Sequence, residues 1–449
     1  MAQTNDLTKG NVPKLILGFF FPMLFTNMLQ QIYTIADTAI VGKGLGDNAL
    51  ASVGSMSSLS FLIVGFSIGL CNGFSVIIAQ NYGSKNYDQL RKSVASSVKL
   101  AFLFAVVLSV LSILLLRTAL IALQTDIRIL DDSLTYGYII FGGLITTIFY
   151  NLCASILRAL GDSKTPFYAI IVSTIVNIVL DYALIFIVGT GVEGAAIATI
   201  FAQVLSGFIC LIKLKRIDII RLTREDFYTD IKMDFALIKN GIPMACMNSI
   251  TAVGCMVVQY FVNGLGVAYT SAYSACGKFG NLFMQPACTA GFTMSSFTSQ
   301  NYGAKQYTRI KEGLHVCLAI AFFFYLTLGS LMVFFPRELA GLMLNGEEAI
   351  ELATQFLPIS GSMLFAVDFL FVFRSGLQGM GYSMITMISG GVEMVMRIAT
   401  IVLFINEIGF RATAYADVVA WFGALALNLI AFEIVLHKKL HINRKEVCA

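Results

Sequence analysis

The chain has 449 residues, 57% of them hydrophobic and 12% charged, with a formal net charge of +4 and a mean hydropathy of +0.80. A soluble domain averages about 25% charged residues, so this composition excludes a soluble globular protein. It describes a polytopic membrane protein whose helices satisfy their own backbone inside the bilayer.

Residues 1–11 are polar and the first apolar run continues into a full span, so no cleavable signal peptide is expected. Crossing a bilayer takes ~20 helical residues. Apolar runs of that length are predicted near 14–41, 52–79, 93–119, 134–157, 165–188 and 192–214. A charged stretch follows from Lys213 to Asp234, and six further runs lie near 235–262, 269–298, 312–335, 350–377, 382–406 and 411–437. The domains read as an N-lobe of helices 1–6 (1–214), a cytoplasmic inter-lobe linker (215–234) and a C-lobe of helices 7–12 (235–449).

The two sixes repeat each other. Gln80-Asn81-Tyr82-Gly83 recurs as Gln300-Asn301-Tyr302-Gly303, an offset of 300 − 80 = 220. The same offset pairs Leu157…Gly161 with Leu377…Gly381, and Gly44-Leu45-Gly46 with Gly264-Leu265-Gly266. A constant offset across whole halves marks a duplication. Six is even, so both halves enter from one side. The expected fold is all-α: an integral membrane protein with twelve transmembrane helices in two six-helix lobes related by a pseudo-two-fold axis along the membrane normal.

With both termini inside, 22 of the 30 Lys and Arg residues fall on the inner side, five outside (Lys43, Arg117, Arg128, Arg337, Arg411) and three within spans (Lys278, Arg374, Arg397). That bias places the N- and C-termini in the cytoplasm. The nine cysteines are scattered singly without metal-ligand spacing, and the three histidines lie near span ends. Neither a disulfide framework nor a zinc site is expected. The Gln-Asn-Tyr-Gly loops read as turn formers with a topology signal.

The fifth span, Thr165 to Val188, carries Asn177 and Asp181 four residues apart and so on one helix face. A carboxylate mid-membrane costs several kcal/mol and usually faces a wet cavity; the plainer reading is a polar pair that only joins two helices. In the first span Gln30, Thr34 and Asp37 share a face, with Tyr33 beside it. Two carboxylates on one cavity cannot both ionise cheaply, which makes Asp37 and Asp181 a candidate proton switch. Na⁺ is the competing ion, for which Asp37, Asn177, Asp181 and Thr199 would supply oxygens. Tyr136 in span 4 can offer a hydroxyl to the same cavity. In the second half Glu393 and Arg397 sit four apart and can pair. Asp368 is a candidate for a C-lobe cavity, and Arg374 lies six residues on, on a different face. Lys278 is a further intramembrane charge.

These features resemble the MATE (multidrug and toxic compound extrusion) family over the chain's whole two-lobe length. The resemblance rests on Ala36-Asp37-Thr38-Ala39-Ile40-Val41-Gly42, on the Gln-Asn-Tyr-Gly loops and on Leu157 to Asp162. Within the family the chain is similar to the DinF-like branch. That resemblance implies an N-lobe network of Gln30 and Asp37 on helix 1, Tyr136 on helix 4, Asn177 and Asp181 on helix 5, and Thr199 on helix 6. A C-lobe Na⁺ site of the NorM-like branch is not expected, because uncharged residues surround Thr251 at the helix-7 position. Lys278 stands where the family commonly has a basic residue.

The implied function is a secondary antiporter, not an enzyme, coupled to H⁺ in preference to Na⁺. It would export small, amphipathic, often cationic organic compounds by alternating access. It needs no cofactor and no nucleic acid, contacts membrane lipids, and is expected as a monomer in a prokaryotic cytoplasmic membrane. The alternative on the same build is a flippase for a lipid-linked oligosaccharide or peptidoglycan precursor, which calls for a basic cavity to hold pyrophosphate.

Overall fold

The computed structural model describes residues 5–123, 125–228 and 231–448. Every regular element among them is helical, as a backbone in hydrocarbon requires. The first half comprises α1 (Val12–Leu45), α2 (Asp47–Gly83), α3 (Tyr87–Ala122), α4 (Ile127–Gly142), α5 (Leu144–Ala159), α6 (Lys164–Tyr182) and α7 (Val192–Lys215). The second comprises α8 (Ile231–Asn263), α9 (Val267–Phe283), α10 (Gln285–Gly303), α11 (Tyr307–Phe324), α12 (Ser330–Phe334), α13 (Pro336–Gly341), α14 (Glu347–Ser362), α15 (Leu364–Gly379), α16 (Ser383–Ile408) and α17 (Arg411–Cys448).

Nine of the described helices are long and apolar enough to cross a membrane, and eleven spans result when each of two bent pairs counts as one. The fourth and tenth predicted spans are those pairs: α4–α5 bends by 43° and α14–α15 by 47°. Neither bend was read from hydropathy, which is indifferent to direction. At the first, a Cβ on Gly143 would lie 2.4 Å from the Ile200 side chain, so α7 packs into the space a side chain would fill. The eighth predicted span is the pair α9–α10, interrupted at Met284. Pro286 opens α10 and cannot donate the bond that would continue α9.

Packing divides the described chain into two compact units. One takes Phe21–Ala245 with Asn5 and Asp6; the other takes Leu7–Phe20 and the chain from Cys246 onward. The boundaries fall inside α1, beside Pro22, and inside α8, beside Pro243. Within the first unit, α2 and α8 approach backbone to backbone. A Cβ on Gly73 would lie 2.4 Å from Gly241 Cα, and one on Gly69 would lie 2.7 Å from Ala245 Cα. Small residues at four-residue spacing on both helices permit this, the usual device of membrane helices.

The duplicated loops keep the same backbone: Lys85 and Lys305 both adopt φ 57°, unusual for a residue with a Cβ. In the second unit the Gln-Asn-Tyr-Gly segment also holds the peptide before α1. Gln300 Oε1 accepts from the Leu7 N–H at 2.9 Å, and Asn301 Nδ2 donates to the Leu7 carbonyl at 3.3 Å. Arg309 donates to the Leu7 carbonyl at 3.2 Å and the Gly10 carbonyl at 3.0 Å. In the first unit the linker is tied to α3. Arg91 pairs with Asp226 at 3.5 Å and Lys99 with Asp234 at 2.6 Å.

Candidate functional site

Helix α6 buries one stripe: Pro166, Ala169, Ile170, Ser173, Thr174, Asn177 and Asp181. The spacing is that of a single helix face. The opposite face is exposed and apolar, with Ile175 59% and Val179 61% accessible. The polar pair therefore points into the protein, and both residues are 0% exposed. Directly after Asp181 the helix widens into a π segment, Ala183–Val188, which ends at Gly189 with φ 77°. Such segments in α-helices are frequent at functional positions.

Around this face the first unit assembles groups from three other helices. α1 contributes Asp37, buried at 8% exposure, and its carboxyl neighbours that of Asp181. Tyr33 on α1 and Tyr136 on α4 lie within electrostatic reach of both carboxyls. Tyr33 Oη and Thr199 Oγ1 of α7 share a hydrogen bond of 3.1 Å. Asp37 Oδ1, both Asp181 oxygens, and Asn177 Oδ1 and Nδ2 are buried without a hydrogen-bond partner among the described residues. Buried polar atoms normally find partners. A converging set of orphan oxygens is a place for protons or for a hard cation.

Two residues of the expected network stand apart. Gln30 and Thr34 are exposed, and Thr34 Oγ1 donates to the Gln30 carbonyl at 3.0 Å within its own helix. They share α1's face with Asp37 in register, but only Asp37 reaches the buried cluster.

The second unit holds a different arrangement. Glu393 and Arg397 pair at 3.1 Å along α16, and they belong to a longer chain. Arg374 of α15 bonds Glu393 at 2.7 Å, and Arg397 Nε bonds Asp417 of α17 at 2.9 Å. Arg374 and Asp417 come from other helices, so no spacing rule could have joined them to Glu393 and Arg397. Asp368 is 1% exposed, with Oδ1 unpartnered and no ion pair among the described residues. Lys278 is exposed and joins none of these groups. Among the described residues no set of three or more His, Cys, Asp or Glu side chains is arranged to hold a metal.

Comparison with known proteins agrees over most of the length. The family model MatE matches residues 22–183 and 243–403. The chain is 28% identical over 365 residues to the probable multidrug resistance protein YoeA of Bacillus subtilis, covering 80% of this chain and 79% of that protein. It is 24% identical over 364 residues to a FAD transporter of Shewanella oneidensis, covering 78% of each. A solved structure, MATE in the bent conformation, superposes with a TM-score of 0.92 at 20% identity, covering 98% of this chain and 99% of that one. That likeness concerns the fold.

Proposed function

This chain belongs to the MatE family of multi-pass membrane transporters, and from that premise we propose that it is an ion-coupled antiporter exporting amphipathic organic compounds. The observation that carries the reading is the burial of Asp37 and Asp181 side by side, with three of their four oxygens lacking a hydrogen-bond partner among the described residues. Two adjacent carboxylates cannot both stay charged cheaply in a low-dielectric site. Binding one proton between them, or a Na⁺ among them, relieves the repulsion. The coupling ion and the organic compound then compete for the same unit through its charge and its hydrogen bonding.

H⁺ is the favoured ion, because the site rests on two acids and uncharged residues surround Thr251, where the NorM-like branch has a glutamate. Asn177, Tyr33, Tyr136 and Thr199 orient the carboxyls; Na⁺ at Asp37, Asn177, Asp181 and Thr199 is the competing assignment. Alternating access follows if ion binding favours one facing of the carrier and release favours the other. The positive-inside bias supports cytoplasmic N- and C-termini in a prokaryotic cytoplasmic membrane. Relatives named for multidrug resistance support drug-like substrates. One relative is named as a FAD transporter, which supports keeping anionic compounds among the candidates. A pyrophosphate flippase is not favoured, because the linked charges of the second unit, Arg374, Glu393, Arg397 and Asp417, balance and leave no net positive charge for a diphosphate.

The test uses proteoliposomes loaded with a fluorescent organic cation, under a proton gradient or a sodium gradient applied separately. Movement driven by protons alone and abolished by Asp181→Asn is expected. Movement driven by sodium reassigns the ion. Coupled movement that survives both Asp37→Asn and Asp181→Asn overturns the site.

A further inference from the structure

Two members of the second unit's ion chain, Arg397 and Asp417, stand at positions that belong to the acid site in the first half of the duplicated fold. The offset of 220 places Arg397 where the first half has Asn177. The final helices align through Gly191-Val-Glu-Gly-Ala-Ala-Ile-Ala-Thr199 and Gly409-Phe-Arg-Ala-Thr-Ala-Tyr-Ala-Asp417, which share a glycine and two alanines. The offset there is 417 − 199 = 218, so Asp417 stands where the first half has Thr199. Asn177 and Thr199 belong to the first unit's site. Arg397 and Asp417 bond each other at 2.9 Å. The two carboxylates of the first site have apolar counterparts, Val257 for Asp37 and Ile401 for Asp181, at the offset of 220.

The fold does not demand these charges. At the positions of Arg374 and Glu393 the first half has Ala154 and Ser173, and it builds its own helix packing with them. Placing four charges within spans is expensive, and ion pairs in such surroundings return little net stability. The chain is also incompletely satisfied. Arg397 Nη1 and Arg374 Nε are buried donors with no acceptor among the described residues. Gly254 lies beside Arg397 Nη1, where a Cβ would sit 3.4 Å from it. The chain is reachable at one end: the Asp417 side chain is 17% exposed, against 3% for Arg397.

We propose that Arg397 is a seat for an oxyanion of the transported compound, a carboxylate or a phosphate, reached past Asp417. The oxyanion takes the unsatisfied Nη1 donors and competes with Asp417 for the guanidinium, while Arg374 holds Glu393 in place. Charge-assisted bonds from arginine to an oxyanion are the strong class. This inference rests on the exporter reading and adds a substrate class to it.

The experiment compares two probes that differ in one group: a fluorescent xanthene cation with a free carboxylate, and its methyl ester. Binding is titrated with the full-length protein in lipid nanodiscs, and ester transport under a proton gradient is followed in proteoliposomes. Wild type is expected to bind the carboxylate form more tightly than the ester. Arg397→Gln combined with Asp417→Asn, which removes one charge of each sign, is expected to weaken the carboxylate form by about tenfold while leaving the ester unchanged. Asp417→Asn alone is expected to tighten the carboxylate form, because a competitor is lost. Opposite signs for the two variants are not produced by damage to packing. The single variant keeps the test decisive if the double variant does not fold. Equal effects on both probes, or none, overturn the proposal. Ester transport without any preference for the carboxylate overturns this inference alone; a wild type that binds neither probe overturns the exporter reading with it.

Discussion

Tyr33 Oη and Thr199 Oγ1 meet at 3.1 Å, joining α1 to α7 across the cluster that holds Asp37 and Asp181. The bond fixes the tyrosine ring beside both carboxyls. On the proposed mechanism, its removal leaves the acids in place but loosens a group proposed to orient them. A neutral hydrogen bond contributes about 0.5–1.5 kcal/mol. Tyr33→Phe and Thr199→Val are each expected to slow proton-driven export roughly two- to tenfold. The double variant is expected to be no slower than the worse single one, since both substitutions break one interaction. Additive losses in the initial transport rate would show that the two residues act separately.

The contact of α2 with α8 makes a sharper prediction about stability. A Cβ on Gly73 would sit 2.4 Å from Gly241 Cα, a backbone atom that cannot swing aside. Gly73→Val therefore forces the two helices apart. Overpacking of this kind costs about 1–3 kcal/mol. The expected result is a lower thermal unfolding midpoint in detergent. Gly54→Ala in the same helix, where a Cβ would meet nothing within 4 Å, should leave the midpoint where it is.

Most of the architecture was legible because membrane spans are set by length and apolarity, which are properties of a window of sequence. The duplication was legible from one constant offset. Direction and partnership were not. The bend at Gly143 is packed by Ile200 of another helix, and Arg374 finds Glu393 nineteen residues away on another helix. The polar face of α6 was legible because Asn177 and Asp181 lie four residues apart on one helix. Gln30 and Thr34 were grouped with Asp37 by the same rule, but a helix face is wide enough for its edge to be exposed while one member is buried. The contact of Gly69 and Gly73 with α8 could have been suspected from their four-residue spacing, which did not by itself name the partner.

The second unit contains two buried acids that should respond oppositely to neutralisation. Glu393 is held by Arg374 and Arg397, so Glu393→Gln leaves two guanidinium groups facing one remaining carboxylate. Breaking a buried ion pair from one side costs about 3–5 kcal/mol. Asp368 is as deeply buried but has no ion pair among the described residues. Asp368→Asn removes an uncompensated group of the same shape and is expected to hold or raise the unfolding midpoint. Thermal melts of the two purified variants against wild type decide the point; equal losses would mean that Asp368 has a charged partner in solution.

The linker should come loose in acid. Burial alone would raise the Asp226 carboxyl, but hydrogen bonds from the Thr223 backbone and side chain, together with Arg91, hold it below the usual carboxylate range. A carboxyl that titrates lower in the folded protein than in the unfolded one adds stability above its unfolded value, about 4. That stability disappears as the pH falls through the folded value. Docking of the linker against α3 is thus expected to be intact near neutrality and to be lost progressively below about pH 4. Limited proteolysis between Arg216 and Tyr228, with an acid-active protease at low pH and trypsin at neutral pH, reads the change. Asp226→Asn removes the anion that Arg91 pairs with, so its linker should be cut at neutral pH as readily as the wild type is in acid. A variant as resistant as wild type at neutral pH would show that Lys99 and Asp234, paired at 2.6 Å, hold the linker without it.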